Sequence, residues 1–266
     1  MKYFNNTQLK NKNIIINGGM GLIGQEVCLA CIDLGANIII LDNNTEEIKK
    51  FKKKHKLLSK KFNILKLNTS SEKDIQKFGI HLNKMKKIDC YINTSYPKDK
   101  HWAENNFSNI TLNSFNKNVK NNVISYCWLT NLIAEKMKKK NNGSIILLGS
   151  IYGVVAQDLS IYKGTNISEN ISYSFIKGGV QNYVKLMASY YGKYNLRINC
   201  ISPGGVYDKD SKSQNKKFIR NYTNKVPLKR LANPSEIASA VVFFASDASS
   251  YITGTNIMVD GGWTAI

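Results

Sequence analysis

The chain has 266 residues, 42% of them hydrophobic, and a formal net charge of +20. That length supplies one sizeable α/β core, and no apolar stretch approaches the roughly 20 residues that cross a bilayer, so a membrane-spanning protein is not expected. The charge attracts anions in general. Lysine is nonetheless spread over most surface segments beyond the runs at 49–61 and 136–140, and no basic run is interleaved with exposed aromatics, so nucleic acid is not expected as a partner. Residues 1–13 are polar and lack the apolar core of a secretory signal, which reads as cytoplasmic. Cys28, Cys31, Cys90, Cys127 and Cys200 are odd in number and sit among apolar residues. They read as reduced core cysteines, with no metal site, and the C-x-x-C of Cys28 and Cys31 lies inside a helix without a second ligand pair.

Residues 13–42 carry the strongest pattern. Ile14, Ile15 and Ile16 are a β-branched run too short for a helix, and Asn17 to Gly24 breaks it sharply. Val27, Ala30, Cys31 and Leu34 then form a helical apolar face, and Ile38 to Asp42 reads as a second strand with an acidic end. Gly19, Gly21 and Gly24 fit G-x-G-x-x-G, a turn that lets backbone approach a pyrophosphate and presents helix N–H groups to it. Gly18, Gly19, Gly21, Leu22, Ile23 and Gly24 are therefore the expected phosphate cradle. Asp42 is the expected ribose ligand and predicts NAD over NADP, because it accepts from both ribose hydroxyls and repels a 2′-phosphate.

Farther along, 46–56 reads as a basic helix and 62–67 as a third strand, ending at Asn68 near the adenine position. A helix over 71–85, a fourth strand over 88–92 closing on Asn93-Thr94-Ser95-Tyr96-Pro97, and a polar segment to Asn109 come next. One long helix is expected over 112–139 and a strand over 144–148. Strands alternating with helices imply a doubly wound parallel sheet, a Rossmann fold in one domain over 1–266, with its ligand at the carboxyl ends of the strands. Residues 151–171 have no clean period and read as a substrate-side loop. A helix over 171–194, a strand over 197–201, a basic lid over 207–225, a helix over 234–245 and a last strand over 256–259 complete the chain.

Tyr173 and Lys177 are spaced i, i+4 and share one helix face, where an ammonium favours a tyrosinate. Bringing a phenol from about 10 to near neutrality needs roughly 4 kcal/mol, within reach of a lysine and a cationic nicotinamide together. Ser150 at a strand end and Asn122 in the preceding helix complete the constellation.

With Tyr173-Ser174-Phe175-Ile176-Lys177, the stretches 143–153 and 199–204, and the long C-terminal run from Pro227 to Gly262, the chain resembles the single-domain branch of the short-chain dehydrogenase/reductase family over nearly its whole length. The resemblance implies hydride transfer between a nicotinamide and an alcohol or carbonyl carbon. Tyr173 would exchange the hydroxyl proton, Lys177 would lower its pKa and hold the nicotinamide ribose, Ser150 would bond the substrate oxygen, and Asn122 would hold a relay water. Asn68, Asn93, Gly204 and Val206 would join the cofactor site, and a homo-oligomer, tetramer or dimer, is implied. Departures are Asn17 for threonine at the nucleotide loop, Thr94-Ser95-Tyr96 for Asn-Ala-Gly, Asn68 for aspartate and Asp208 for threonine. The Gly18, Gly21, Gly24 spacing is similar to the extended branch. A sugar-nucleotide epimerase or dehydratase with tightly bound NAD, and a non-catalytic cofactor-sensing module, therefore stand as alternatives.

Ser150 and Tyr173 are 23 positions apart, more than in compact members of the family, so 154–171 is expected to enlarge the active-site wall. Tyr96, Gln157 and Tyr162 are its expected substrate contacts, with Asp158, Lys163 and Thr165 nearby. Across the cleft Lys209, Lys212, Lys216, Lys217 and Arg220 would neutralise an anionic sugar derivative, a sugar phosphate or nucleotide sugar. The chain also looks like members that modify bacterial flagellin or surface glycans.

Overall fold

The computed structural model describes residues 2–211 and 214–266. A short helix α1 (Lys2–Thr7), which the polar N-terminus does not signal, leads into β1 (Asn13–Asn17), α2 (Leu22–Asp33), β2 (Asn37–Asp42) and α3 (Thr45–Lys54). Then come β3 (Phe62–Lys66), α4 (Glu72–Lys84), β4 (Cys90–Asn93), α5 (Leu112–Asn122), a π-helical turn Val123–Trp128 and α6 (Leu129–Lys138). The second half holds β5 (Gly143–Leu148), α7 (Ile171–Tyr191), β6 (Leu196–Pro203), α8 (Lys216–Lys225), α9 (Pro234–Ala245) and β7 (Asn256–Val259).

The strands form one sheet in the order β3-β2-β1-β4-β5-β6-β7, every pairing parallel. The order reverses between β1 and β4, where Ile15 lies level with Ile39 on one side and Tyr91 on the other. A cleft opens at such a reversal because the connections leave toward opposite faces. Strand residues alternate between two buried layers. Ile15, Tyr91, Ile145 and Ile198 pack with α4, α6 and α7, whereas Ile14, Ile16, Cys90 and Ile146 pack with α2 and α9. Burial on both faces is why these strands read as continuous apolar runs.

Helix starts are set by caps that hydrophobic periodicity does not register. Asn44, Ser71, Thr111, Asn170 and Asn215 each accept a backbone N–H of the following turn, and Asn233 with Glu236 forms a capping box on α9. The expected single helix over 112–139 is interrupted: Leu129 N donates to Ile124 O, five residues back. The extra residue rotates the chain beyond it by about 100° relative to an unbroken α-helix. None of the helices among the described residues is long and apolar enough to cross a membrane.

Candidate active site

At the β1–α2 turn, Gly18 adopts φ +77°, and a Cβ there would lie 2.6 Å from Ser95 Cα. A Cβ on Gly24 would collide with the Gly18 carbonyl, while above Gly21 the nearest atom stands off at 3.4 Å. The turn thus closes against β4 on one side and stays open over Gly21. Gly21 provides α2 with no side-chain cap, so the first-turn N–H groups of Leu22, Ile23 and Gly24 have no intrahelical acceptor. Asp42, at the tip of β2, accepts from Met20 N through Oδ2 and from Asn44 N through Oδ1, both at 2.9 Å. An open glycine turn, uncapped amides and a fixed carboxylate at one crevice fit the pyrophosphate and ribose of a dinucleotide.

Beneath this crevice Asn93 is fully buried and bonded through both its amide oxygen and its amide nitrogen. Its Oδ1 accepts from Asn17 Nδ2 and Ser95 N, and its Nδ2 donates to Ser125 O. Asn93 ties β1, β4 and the π turn together, so its side chain braces the cleft floor. Thr94 Oγ1 donates to the carbonyls of Asn17 and Gly18. The unexpected side chains after Asn93 thus secure the glycine turn. Asn68 lies at the end of β3 in a shallow depression with Asn43, and its Oδ1 accepts from Ser70 N.

Tyr173 and Lys177 occupy the first two turns of α7, whose cap Asn170 accepts from Tyr173 N at 2.8 Å. Ser150 lies just beyond β5, is 5% exposed, and its hydroxyl faces the Tyr173 phenol. Burial raises the Tyr173 pKa, and the neighbouring Ser150 hydroxyl opposes that rise. Lys177 is 3% exposed, and its Nζ donates to Leu148 O at 2.7 Å and to Tyr126 Oη at 2.8 Å. Burial lowers its pKa to about 7, with Lys98 lowering it further and Cys200 opposing. Nζ stands 5.7 Å from the Tyr173 ring centre. Asn122 is buried just before the π turn; its Nδ2 donates to Pro97 O and Asn118 O, and its Oδ1 has no partner among the described residues.

Beside these groups lies a cavity of about 650 Å³. The Tyr96 and Trp102 rings meet Tyr173 edge-on at 5.0 and 6.3 Å, and Tyr162 stacks on Phe218 at 6.4 Å across the opposite wall. Gln157 reaches the cavity, yet its amide is spent on the wall itself. Nε2 donates to Asn170 O and Ser174 Oγ, while Oε1 accepts from Tyr162 Oη and Asn170 N. Gln157 and Tyr162 therefore shape the wall as one bonded unit. Gly204 and Gly205 line the cavity floor, and Val206 bridges to Ala232 beside it.

The expected cationic lid is built differently. Gln214, Phe218 and Tyr222 line the cavity, whereas Lys209, Lys216, Lys217 and Arg220 are exposed and do not line it; Lys212 lies outside the described residues. The cation on the wall is Lys98, whose Nζ sits 4.0 Å over the Trp102 ring. Desolvation lowers its pKa against the opposing pull of Asp208. No motif or spacing in the sequence points to Lys98, Trp102 or Tyr126. A lone tryptophan in an otherwise polar stretch is the available signal for Trp102.

Comparison with known proteins adds three findings. A family model described as enoyl-(acyl carrier protein) reductase matches residues 21–264. Post-translational flagellin modification protein A of Campylobacter coli is 28% identical over 96% of this chain and 99% of its own, and the L-fucose dehydrogenase of Bos taurus is 27% identical over 96% and 90%. The structure of a short-chain dehydrogenase from Leptospira borgpetersenii with bound NAD+ superposes with a TM-score of 0.84, at 32% identity over 97% of this chain and 94% of that one.

Proposed function

Since the chain belongs to the short-chain dehydrogenase/reductase family, we propose that it is an NAD-dependent oxidoreductase acting on an alcohol or carbonyl carbon of a sugar derivative. The observation that carries this reading is the meeting of Tyr173, Ser150 and Lys177 at the strand ends beside the open glycine turn and Asp42. A bound nicotinamide supplies the hydride acceptor or donor. Ser150 fixes the reacting oxygen near the Tyr173 phenol, which takes or returns the hydroxyl proton, and the buried Lys177 ammonium favours the phenolate. Asp42 would hold the adenosine ribose hydroxyls, and the Leu22 and Ile23 amides would hold the pyrophosphate. Asp42 forms no ion pair among the described residues, although Lys66 is its neighbour across β3, so its charge stands against a 2′-phosphate.

For the substrate, the aromatic walls offer faces for the C–H surface of a sugar ring. The L-fucose dehydrogenase relative agrees with this class. Lys98 is the group that would meet a phosphate or carboxylate, in place of the lid lysines. The exposed apolar faces of α5 and α7 support a homo-oligomer, dimer or tetramer.

The test is a screen of sugar phosphates, nucleotide sugars and simple polyols with free NAD and NADP, following absorbance of the reduced cofactor. Turnover with NAD, lost preference in Asp42→Ala, and preference for an anionic sugar that vanishes in Lys98→Met are expected. Equal efficiency with NADP discards the cofactor assignment, and conversion without net reduction of free NAD discards the oxidoreductase reading.

A further inference from the structure

Among the described residues, Tyr126 is the one whose hydroxyl touches the Lys177 ammonium group, and nothing in the sequence pattern marks it. It is 1% exposed within the apolar layer under β4 and β5. A buried hydroxyl costs stability unless paired, and a phenylalanine would fill nearly the same space without that cost. The Tyr126 hydroxyl has two partners: it donates to Leu148 O at 3.0 Å and accepts from Lys177 Nζ at 2.8 Å. Leu148 O also accepts from Lys177 Nζ at 2.7 Å. The three groups close a triangle in which the phenol, having given its proton to the carbonyl, can only accept from the lysine.

The π turn orients this triangle. Tyr126 lies four residues beyond Asn122 inside Val123–Trp128, and the added residue there rotates the chain relative to an α-helical continuation. An ammonium has three N–H donors. Two are committed to Leu148 and Tyr126, which leaves one for the cleft side.

We propose that Tyr126 is a positioning residue that holds Lys177 as an ammonium under Tyr173 and limits it to one free donor toward the cleft. This rests on reading Lys177 as the partner of Tyr173 given above. A bond accepted from a charged donor is about twice as strong as from a neutral one, so losing it favours the neutral amine. The other titratable groups that face Lys177 are Tyr96 and Lys98 from the segment after β4, Tyr173 from its own helix, and Cys200 from β6. Tyr126→Phe substitutes none of these groups, although Tyr173, Tyr96 and Cys200 also lie near the Tyr126 hydroxyl.

The experiment needs neither substrate nor cofactor. Lysine Cε labelled with carbon-13 is titrated by NMR, and the Lys177 signal is assigned by its loss in Lys177→Gln. In the wild type this signal titrates well below the bulk of the lysines. In Tyr126→Phe its midpoint is expected to fall by about one pH unit. Tyr183→Phe is the control, since the Tyr183 hydroxyl donates to Cys127 O in the same π turn without touching Lys177. It is expected to leave the midpoint in place. An unchanged midpoint in folded Tyr126→Phe, or an equal fall in Tyr183→Phe, overturns the proposal. Should Tyr126→Phe not fold, a wild-type crystal structure decides: Tyr126 Oη within hydrogen-bond distance of Lys177 Nζ upholds the proposal, and separation overturns it. Failure to oxidise any sugar would instead sink the oxidoreductase reading and leave this titration untouched.

Discussion

Replacing Tyr173 by phenylalanine removes one oxygen and leaves the ring packed against Tyr96 and Trp102. A general acid–base contributes about 10²–10⁴-fold, so Tyr173→Phe is expected to cut kcat by at least that range while NAD affinity, read by fluorescence titration, stays nearly constant. Retention of most activity would require another proton carrier. Lys177 makes a second, thermodynamic prediction. Its folded pKa of about 7 lies below the ordinary 10.5, so the unfolded chain binds more protons between those values. Stability therefore rises with pH across that window, and below pH 7 the cost of a buried ammonium, on the order of 5 kcal/mol, is borne in full. Lys177→Met is expected to be inactive yet to melt at higher temperature, with a gain at pH 6 that shrinks toward pH 10. A gain independent of pH would show that the lysine is not the titrating group.

Strands and helices are legible in the sequence where their cause is local. Ile14 to Ile16, the glycine turn and Asp42 lie within 30 residues, and Tyr173 and Lys177 share one helix, so spacing alone brings them together. Trp102 and Lys98 reach the cavity only because the segment leaving β4 folds over α7, and Tyr126 only because a π turn alters the helical phase; neither leaves a period to read. The insert between Ser150 and Tyr173 is visible as excess length, but Gln157 reads as a substrate contact because its four bonds, to Tyr162, Asn170 and Ser174, follow no helical or strand period that the sequence displays. Those bonds predict that Gln157→Ala loosens the whole wall. KM for the best sugar should rise about tenfold or more with a smaller change in kcat, since Ser150 and Lys177 are held by other partners. A fall confined to kcat would place Gln157 in the chemistry itself.

At the scale of the molecule, α5 and α7 lie side by side, Phe115 meeting Phe175 at 5.6 Å, and they leave Leu112, Phe175, Leu186 and Tyr190 exposed, with Val123 exposed at the start of the π turn. Exposed apolar side chains on two neighbouring helices of a protein of charge +20 favour self-association as the proposal to test. Light scattering is expected to return a multiple of 30.0 kDa, and Leu186→Glu a smaller species. A wild-type monomer at micromolar concentration would remove the oligomer from the proposal. The segment expected as a mobile lid is better described as part of a third, smaller core, in which Ile161 of the insert packs with Tyr222, Val226 and Leu231. Asn221 donates to the carbonyls of Ile161 and Lys163, and Lys225 pairs with Asp158 at 3.1 Å. The two walls of the cavity on that side are thus riveted into a single jaw. Walls joined in this way can part from the rest of the molecule only as one body, which drags far more solvent than a loose flap; if that parting limits product escape, turnover should slow as the buffer is thickened with sucrose, and the pace would be set by friction.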